Sequence, residues 1–115
     1  MEIKTRTPIY KLGEHEFSCP VALATNAING KWKLQILHHL AETERLRFSE
    51  LKKKVEGVSE KMLIQHLKEL EKDGLLERKV HPVVPPKVEY RLSLLGHSFI
   101  PVIDALRKWG STFEI

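Results

Sequence analysis

The chain has 115 residues and a mass of 13.3 kDa, and its 42% hydrophobic content is enough for one modest core and a single domain. No apolar run approaches the roughly 20 residues of a membrane-spanning helix, and the N-terminal stretch lacks the apolar centre of a signal peptide. A single cysteine cannot form an internal disulfide. These features predict a protein of the reducing cytoplasm that does not contact a membrane.

The formal net charge of +4 is concentrated in the middle of the chain. Residues 45–91 contain 12 Lys or Arg and 8 Asp or Glu, whereas the rest of the chain contains 7 of each kind. A localised positive excess favours a polyanionic partner, most often nucleic acid. The alternative is a solvated surface with an accidental imbalance.

The N-terminal third predicts an arm followed by two helices. Residues 1–18 are polar and aperiodic and are interpreted as the arm, while residues 19–113 form the domain. CPVALATNAI predicts a short helix with Pro20 at its first position and Cys19 as its N-cap. After Asn29 and Gly30, the segment KWKLQILHHLAE has apolar residues at helical spacing and predicts a second helix that contributes to the core.

Two adjacent histidines lie on this second helix. Neighbouring residues of a helix point about 100° apart, so His38 and His39 are not expected to bind one metal ion together. We interpret them as surface or boundary residues. The sequence predicts no metal site and no cofactor.

The next segment predicts a helix-turn-helix. LRFSELKKKV indicates a short strand and then a helix from about Ser49. A turn at Gly57 follows, and Ser59 caps a long helix, SEKMLIQHLKELEKDG, that ends at Gly74. Two helices joined by a short turn that contains glycine form this motif.

The last third predicts a β-hairpin and a C-terminal helix. LLERKVH and KVEYRLS alternate apolar and polar residues, as the two strands of an antiparallel hairpin do. The final segment is helical from about Ser93, with a kink or restart at Pro101. The order of elements predicts an α+β fold that is mostly α, a winged helix-turn-helix with a β-hairpin wing and flanking N- and C-terminal helices.

The helix from Ser59 has two distinct faces. Leu63, Leu67 and Leu70 lie on one side and predict its buried seam. The opposite, cationic face suits a DNA major groove, because Gln can read adenine, Lys can reach guanine or phosphate, and Ile can contact a thymine methyl. The alternative is the solvated face of any amphipathic helix. With the N-cap, the candidate DNA contacts of this helix are Ser59, Lys61, Ile64, Gln65, Lys68 and Lys72.

The hairpin tip, HPVVPP, is rich in proline. Proline fixes φ and removes backbone donors, so the tip is expected to stay open and stiff. Such a wing can place cations against phosphates or the minor groove. The alternative is a loop that only prevents pairing with another chain. The candidate cations of the wing are Lys79, Lys87 and Arg91.

The segments CPV, GKWKLQIL, RFSELKKKV, GVSEKMLIQHLKELEKDGLLER and VPPKVEYRLSLLG together resemble the HxlR-type transcriptional regulators of bacteria and archaea. The resemblance covers about residues 19–110, with departures at Asn29, where glycine is usual, and at His66, where arginine is frequent. It implies a homodimeric winged-helix protein whose first and last helices form the dimer interface. Several members of the family respond to oxidants, quinones or aldehydes through a cysteine, and the resemblance implies that this protein could do the same.

The residues themselves also favour a homodimer, because the first and last helices carry more apolar surface than so small a core can bury. A two-fold dimer would bind a pseudo-palindromic double-stranded operator. The candidate interface residues are Val21, Leu23, Ile28, Phe99, Val102, Ile103, Leu106 and Trp109.

Cys19 has two interpretations. At an N-cap its sulfur would lie near free backbone N–H groups, which favours a reactive thiolate and a redox sensor. The alternative is a small packing residue buried in the dimer interface. The effector is left open.

Two rival functions are an enzyme and a protein-binding module. The sequence has no HExxH, glycine-rich phosphate loop, usefully spaced carboxylate pair or nucleophile elbow, so catalysis is not expected. A winged helix that binds only protein would not need Lys61, Lys68 and Lys72 on one face. The sequence therefore favours a DNA-binding transcriptional regulator.

Overall fold

The computed structural model describes residues 7–115, which form six helices, a three-stranded sheet and a separate two-stranded hairpin. No helix in this range is long and apolar enough to span a bilayer. In chain order the elements are β1 (Tyr10–Leu12), β2 (His15–Phe17), α1 (Pro20–Ala27), α2 (Lys31–Ala41), β3 (Leu46–Arg47), α3 (Phe48–Lys54), α4 (Glu60–Lys72), β4 (Leu76–His81), β5 (Lys87–Leu92), α5 (Leu94–His97) and α6 (Ile100–Ser111).

The core lies between α2, α3, α4 and one face of the sheet. The apolar positions spaced three or four apart on each helix form its buried stripe. The predicted seam of α4 is confirmed, and so is the inward spacing on α2 and α3. Side chains of the three helices and of the α3 C-cap that are at most 1% exposed are Ile36, Leu37, Leu40, Leu51, Val55, Leu63, Leu67 and Leu70.

The sheet has the strand order β3-β5-β4, and all pairs are antiparallel. In the predicted hairpin, Leu76 is opposite Leu92 and Val80 is opposite Val88. Because strand side chains alternate between faces, Leu76, Tyr90 and Leu92 point into the core and are at most 8% exposed. The predicted wing is therefore present, with the register that its hydrophobic pattern indicated.

The helix-turn-helix consists of α3 and α4. The hydroxyl oxygen of Ser59 accepts a hydrogen bond from the backbone N–H of Met62 at 3.1 Å, which fixes the start of α4 as the sequence predicted. Gly74 follows the helix with a φ of +79°, a value that side chains disfavour. These two local signals set the length of the helix.

The prediction of an N-terminal arm is wrong for residues 10–17, since β1 and β2 form a hairpin that contacts α1. Residues 1–6 of the predicted arm lie outside the described range. The His15 imidazole joins the hairpin to two helices through Asn26 Oδ1 at 2.6 Å and Asp73 Oδ2 at 2.9 Å. The sequence does not reveal this hairpin, because strands of three residues are too short for their alternation to be recognised. The hydrogen bonds of His15 join residues that are distant in sequence, so they could not be predicted either.

The C-terminal segment restarts at proline, as predicted. Ser93 caps α5 by accepting a hydrogen bond from the backbone N–H of Gly96 at 2.9 Å. The helix α6 then begins at Ile100 with Pro101 in its first turn, where a missing N–H has no cost. Only Ile103 of α6 is buried, so most of this helix projects from the domain.

Candidate nucleic-acid interface

The outer face of α4 is exposed, as the sequence predicted. Lys61, Gln65 and Lys68 are exposed, and Ile64 is 39% exposed beside them. Within residues 7–115, the ammonium groups of Lys61 and Lys68 form no ion pair. Lys72 differs, because its Nζ lies 3.2 Å from Glu14 Oε2 on the N-terminal hairpin. Two lysines of this face are therefore available to an external anion without first losing a partner.

Ser59 stands at the edge of the same face. Its oxygen accepts the capping bond from α4, so its hydroxyl proton remains available to donate to an acceptor outside the protein. The residue is exposed. The cap and a phosphate contact can therefore coexist at this position.

A groove separates α4 from the wing. Lys68 and Arg78 line it with cations, and Glu60 and Glu71 line it with carboxylates. Its apolar lining comes from Phe48, Ile64, Val88 and Tyr90.

The sequence analysis missed Arg78 as a candidate contact. The residue lies on the face of β4 that carries Leu76, opposite Tyr90 of β5, and its exposed side chain borders the groove. Within the described residues, Arg78 has no carboxylate partner. The sequence contained one indication of this role, because Arg78 takes a position in the strand alternation that is otherwise filled by the apolar residues Leu76 and Val80.

The predicted wing cations lie on the opposite face of the hairpin, and two of the three form ion pairs. Arg91 Nε is 2.9 Å from Glu77 Oε1, and Lys87 Nζ is 3.6 Å from Glu89 Oε2. Lys79 is exposed and stands opposite Glu89 in the register. Arg91 and Lys87 would therefore have to exchange a carboxylate for a phosphate, which makes them weaker candidates than Arg78.

Glu89 is the centre of this paired face. It accepts a hydrogen bond from His81, and Arg45 NH1 lies 3.7 Å from Glu89 Oε1. Burial acts to raise the pKa of Glu89, but the hydrogen bond from His81 and the charges of Lys87 and Arg45 outweigh it and lower that pKa. Glu89 therefore stays ionised and neutralises much of the positive charge on this face.

The tip of the wing is exposed and close to α3. Val84 is fully exposed, and Pro85, Pro86 and Lys87 line a cleft with residues 47–49. Within the described residues, the guanidinium of Arg47 in that cleft forms no ion pair, although its backbone N–H donates to Glu50 Oε1. Lys87 and Arg47 therefore both line the cleft between the wing tip and the start of α3.

His66 does not reach the outer face. It is 8% exposed, and its Nδ1 lies 3.4 Å from Glu69 Oε1, which is also 3.2 Å from the Nζ of Lys33. Burial acts to raise the pKa of Glu69, but Lys33 and His66 outweigh it and lower that pKa. This charged cluster joins α4 to α2, so His66 lies outside the candidate DNA-binding face of α4.

Five of the candidate dimer residues are exposed or half-buried. Val21, Leu106 and Trp109 are 68%, 44% and 66% exposed, and Val102 is 43% exposed. Leu23 is half-buried.

Three of the candidate dimer residues pack in or against the protomer's own core. Ile103 is 4% exposed, and Ile28 and Phe99 pack against the core cluster. Phe113, which was not among the candidate residues, is 65% exposed and meets Trp109 edge to face at a ring distance of 5.2 Å. The exposed part of the stripe is therefore the outer side of α1 and α6 with the C-terminal aromatic pair.

Cys19 is the N-cap of α1, as predicted, and it is exposed. Its backbone carbonyl accepts a hydrogen bond from the N–H of Leu23 at 3.0 Å, but its sulfur accepts none from the helix. The expected contact between the thiol and free N–H groups is therefore absent at this described residue. Packing within the protomer is also absent, so the packing interpretation requires a second chain.

The expectation that His38 and His39 point apart is wrong for their ring nitrogens. Both side chains bend toward Glu42 at the end of α2, and one ligand atom from each of the three residues lies within 4.8 Å of the others. Backbone direction fixes where a side chain starts, but two rotatable bonds decide where its ring ends.

The family comparison decides the class of protein. The model of HxlR-like helix-turn-helix proteins matches residues 27–114. The chain belongs to this HxlR-like family. As an HxlR-type protein it is a DNA-binding transcriptional regulator and not an enzyme.

Individual relatives agree with this assignment. The HxlR-type chain is 44% identical over 102 residues to an HTH-type transcriptional regulator of Methanothermobacter thermautotrophicus, covering 89% of this chain and 77% of the relative. The redox regulator HypR in its oxidized form has a TM-score of 0.79 and 35% identity, covering 84% of this chain and 99% of HypR. The reduced form of the transcriptional regulator YodB from B. subtilis has a TM-score of 0.70 and 33% identity, and the match covers 83% of this chain and 93% of YodB. The predicted winged-helix fold and family are confirmed.

Proposed function

We propose that the protein binds a pseudo-palindromic double-stranded operator as a homodimer, with α4 in the major groove and the wing on the adjacent backbone. The observation that carries this proposal is the exposed face with Lys61, Gln65 and Lys68 on the second helix of the helix-turn-helix. Arg78 faces the same groove from the wing. Two unpaired cations on the helix and one on the wing thus border a single surface.

Each side chain of this face has a separate role. The Gln65 amide has a donor and an acceptor and can bind adenine with two hydrogen bonds, while Ile64 can contact a thymine methyl. Lys68 and Arg78 border the groove and bind the phosphates on its two sides. Glu60 at the start of α4 accepts from a cytosine amino group or repels a misplaced phosphate, which adds discrimination.

The dimer would form through α1 and α6. Exposed apolar surfaces often mark interaction sites, and Val21, Val102, Leu106 and Trp109 are all more than 40% exposed. Aromatic residues are also enriched at the centres of interfaces. A two-fold axis between these helices would place one copy of α4 on each half-site.

Cys19 is proposed as a redox or electrophile sensor, with interface packing as the alternative. Its exposure gives reagents access to the sulfur, and HypR, which is similar in fold, is a redox regulator. An adduct or an intersubunit disulfide at the start of α1 would alter the proposed dimer interface. The angle between the two recognition helices, and with it the fit to the operator, would then change.

The rival function is a winged helix that binds only protein. Gel-shift titrations over a range of salt concentrations distinguish the two, with the region upstream of the protein's own gene and a shuffled duplex as probes. Salt-sensitive binding with a preference for the upstream region supports the proposal. Absence of binding to both duplexes at low salt contradicts it.

Sedimentation equilibrium tests the dimer separately. The wild-type protein is expected to have twice the 13.3 kDa chain mass, and Leu106→Glu is expected to be monomeric. Leu94→Glu is the matched control, because Leu94 is 91% exposed on α5, outside the proposed interface. A monomeric wild type, or a Leu106→Glu protein that remains dimeric, contradicts this interface.

A further inference from the structure

The end of α2 holds three side chains with the chemistry of metal ligands. His38 Nε2 lies 3.3 Å from Glu42 Oε1, and His39 Nδ1 lies 3.9 Å from the same oxygen. The two imidazole rings are 4.9 Å apart at an interplanar angle of 48°. All three residues are accessible from solvent.

The helix produces this convergence through its spacing. Glu42 is four residues after His38 and three after His39, and both separations place side chains on neighbouring positions of the helix surface. The two histidines therefore reach the same carboxylate from two sides. Among the described residues, these three form the one group of at least three His, Cys, Asp or Glu side chains with ligand atoms this close.

We propose that His38, His39 and Glu42 bind a divalent transition metal ion of the Zn²⁺, Ni²⁺ or Cu²⁺ class. Imidazole nitrogen with carboxylate oxygen is a donor set that these ions accept. Tetrahedral bonds of about 2.0–2.1 Å place ligand atoms about 3.3 Å apart. The His38–Glu42 distance of 3.3 Å already matches this value, whereas the His39–Glu42 distance of 3.9 Å and the separation of the two histidine nitrogens, which is within 4.8 Å, must be adjusted by side-chain rotation.

The helix end adds a favourable field. The last turn of a helix carries free carbonyl groups and a partial negative charge, which attracts cations. Three protein ligands leave one position of a tetrahedral ion open for water or for a donor from another molecule. The site is therefore of the open kind rather than a closed structural one.

Arg107 of α6 competes with the metal ion. Its NH2 lies 3.5 Å from the Nδ1 of His38, while its NH1 is 2.8 Å from Asp104 Oδ1. If Nε2 of His38 binds a metal ion, the neutral ring carries its proton on Nδ1, and Nδ1 then no longer accepts from the guanidinium. Metal binding and the Arg107 contact therefore exclude each other.

This competition connects the metal site to the proposed dimer helix. Since α6 projects from the domain and touches α2, release of Arg107 from His38 removes a polar contact between them. Any effect on DNA binding rests on the proposed function, whereas metal binding itself does not.

Calorimetric titration of tag-free, metal-stripped protein with ZnCl₂ tests the site. One Zn²⁺ per chain is expected, and MgCl₂ is expected to give no binding because Mg²⁺ prefers oxygen ligands. His39→Asn and Glu42→Gln should each weaken Zn²⁺ binding by about tenfold or more. His97→Asn and Cys19→Ser are the matched controls, since both residues are exposed and lie outside the cluster. Their Zn²⁺ affinity should equal that of the wild type.

Arg107→Ala gives the sharpest outcome. It should tighten Zn²⁺ binding, because it removes both a nearby positive charge and the competitor for His38. Absence of Zn²⁺ binding, unchanged affinity in His39→Asn and Glu42→Gln, or weaker binding in Arg107→Ala would each overturn the proposal. DNA binding by the metal-stripped protein is measured in parallel, so a failed metal site is distinguished from a failed DNA-binding model.

Discussion

Replacement of Lys68 tests both the DNA-facing surface and the dimer. The Lys68 side chain lines the groove between α4 and the wing, and its ammonium has no carboxylate partner among the described residues. Lys68→Ala therefore removes a free cation without exposing a buried acid. The fold should be unaffected, because Lys68 is exposed and alanine has a higher helix propensity than lysine.

The magnitude follows from counterion release. Each phosphate contact contributes about 0.9 to the slope of log K against log salt. A homodimer loses the contact in both half-sites, so Lys68→Ala should reduce the slope by about 1.8, whereas a protein bound as a monomer would lose about 0.9. Between about 50 and 200 mM salt, the wild type should then lose about tenfold more affinity than the variant.

Fluorescence anisotropy with a labelled operator, measured at several salt concentrations, gives the slope directly. Two other lysines provide matched comparisons. Lys72→Ala should change the slope less, because the Lys72 ammonium already lies 3.2 Å from Glu14. Lys11→Ala on β1 removes an exposed charge away from the proposed surface and should change it least.

Equal slopes for the wild type and Lys68→Ala would refute the assignment of this helix face to DNA. A slope change near 0.9 would retain the contact but refute the symmetric dimer on one operator. An equal change in Lys11→Ala would mean that the effect reflects overall charge rather than position.

Three further substitutions test reading, packing and sensing. Gln65→Ala should reduce discrimination at one base pair by about 1–3 kcal/mol in competition assays, with little change on random DNA. Gly96→Ala should lower the free energy of unfolding in urea by about 1–3 kcal/mol, because its Cβ would clash with the Leu75 carbonyl oxygen, whereas Gly110→Ala, whose Cβ would meet no atom within 4 Å, should not destabilise the protein. Quinone or peroxide treatment should change operator binding of the wild type but not of Cys19→Ser, and identical responses would refute the sensor.

Local sequence signals predicted the elements that carry the site. The capping hydroxyl of Ser59, the leucine seam of α4 and the alternation of the wing strands each depend on residues within a few positions of one another. These local preferences are realised in the folded protein because its tertiary contacts favour the same helices and strands. They were sufficient to place Gln65 and Lys68 on an exposed helix face.

Features that depend on distant contacts could not be predicted. The sequence gives no sign that Lys72 meets Glu14, since 58 residues separate them, or that β2 is fixed to α4 by His15 and Asp73. An apolar stripe also has the same pattern whether it faces the core or a partner. Ile103 was therefore assigned to an interface although it lies in the protomer's own core.

Selection from a library of random duplexes, with the bound DNA sequenced, tests the central claim most directly. The account predicts enrichment of an inverted repeat whose half-site centres are about 34–36 Å apart, or about one helical turn. Gln65→Ala, selected in parallel, should lose the preference at one position of each half-site. Recovery of a single unrepeated motif, or of no motif at all, would contradict a symmetric dimer that reads DNA through α4.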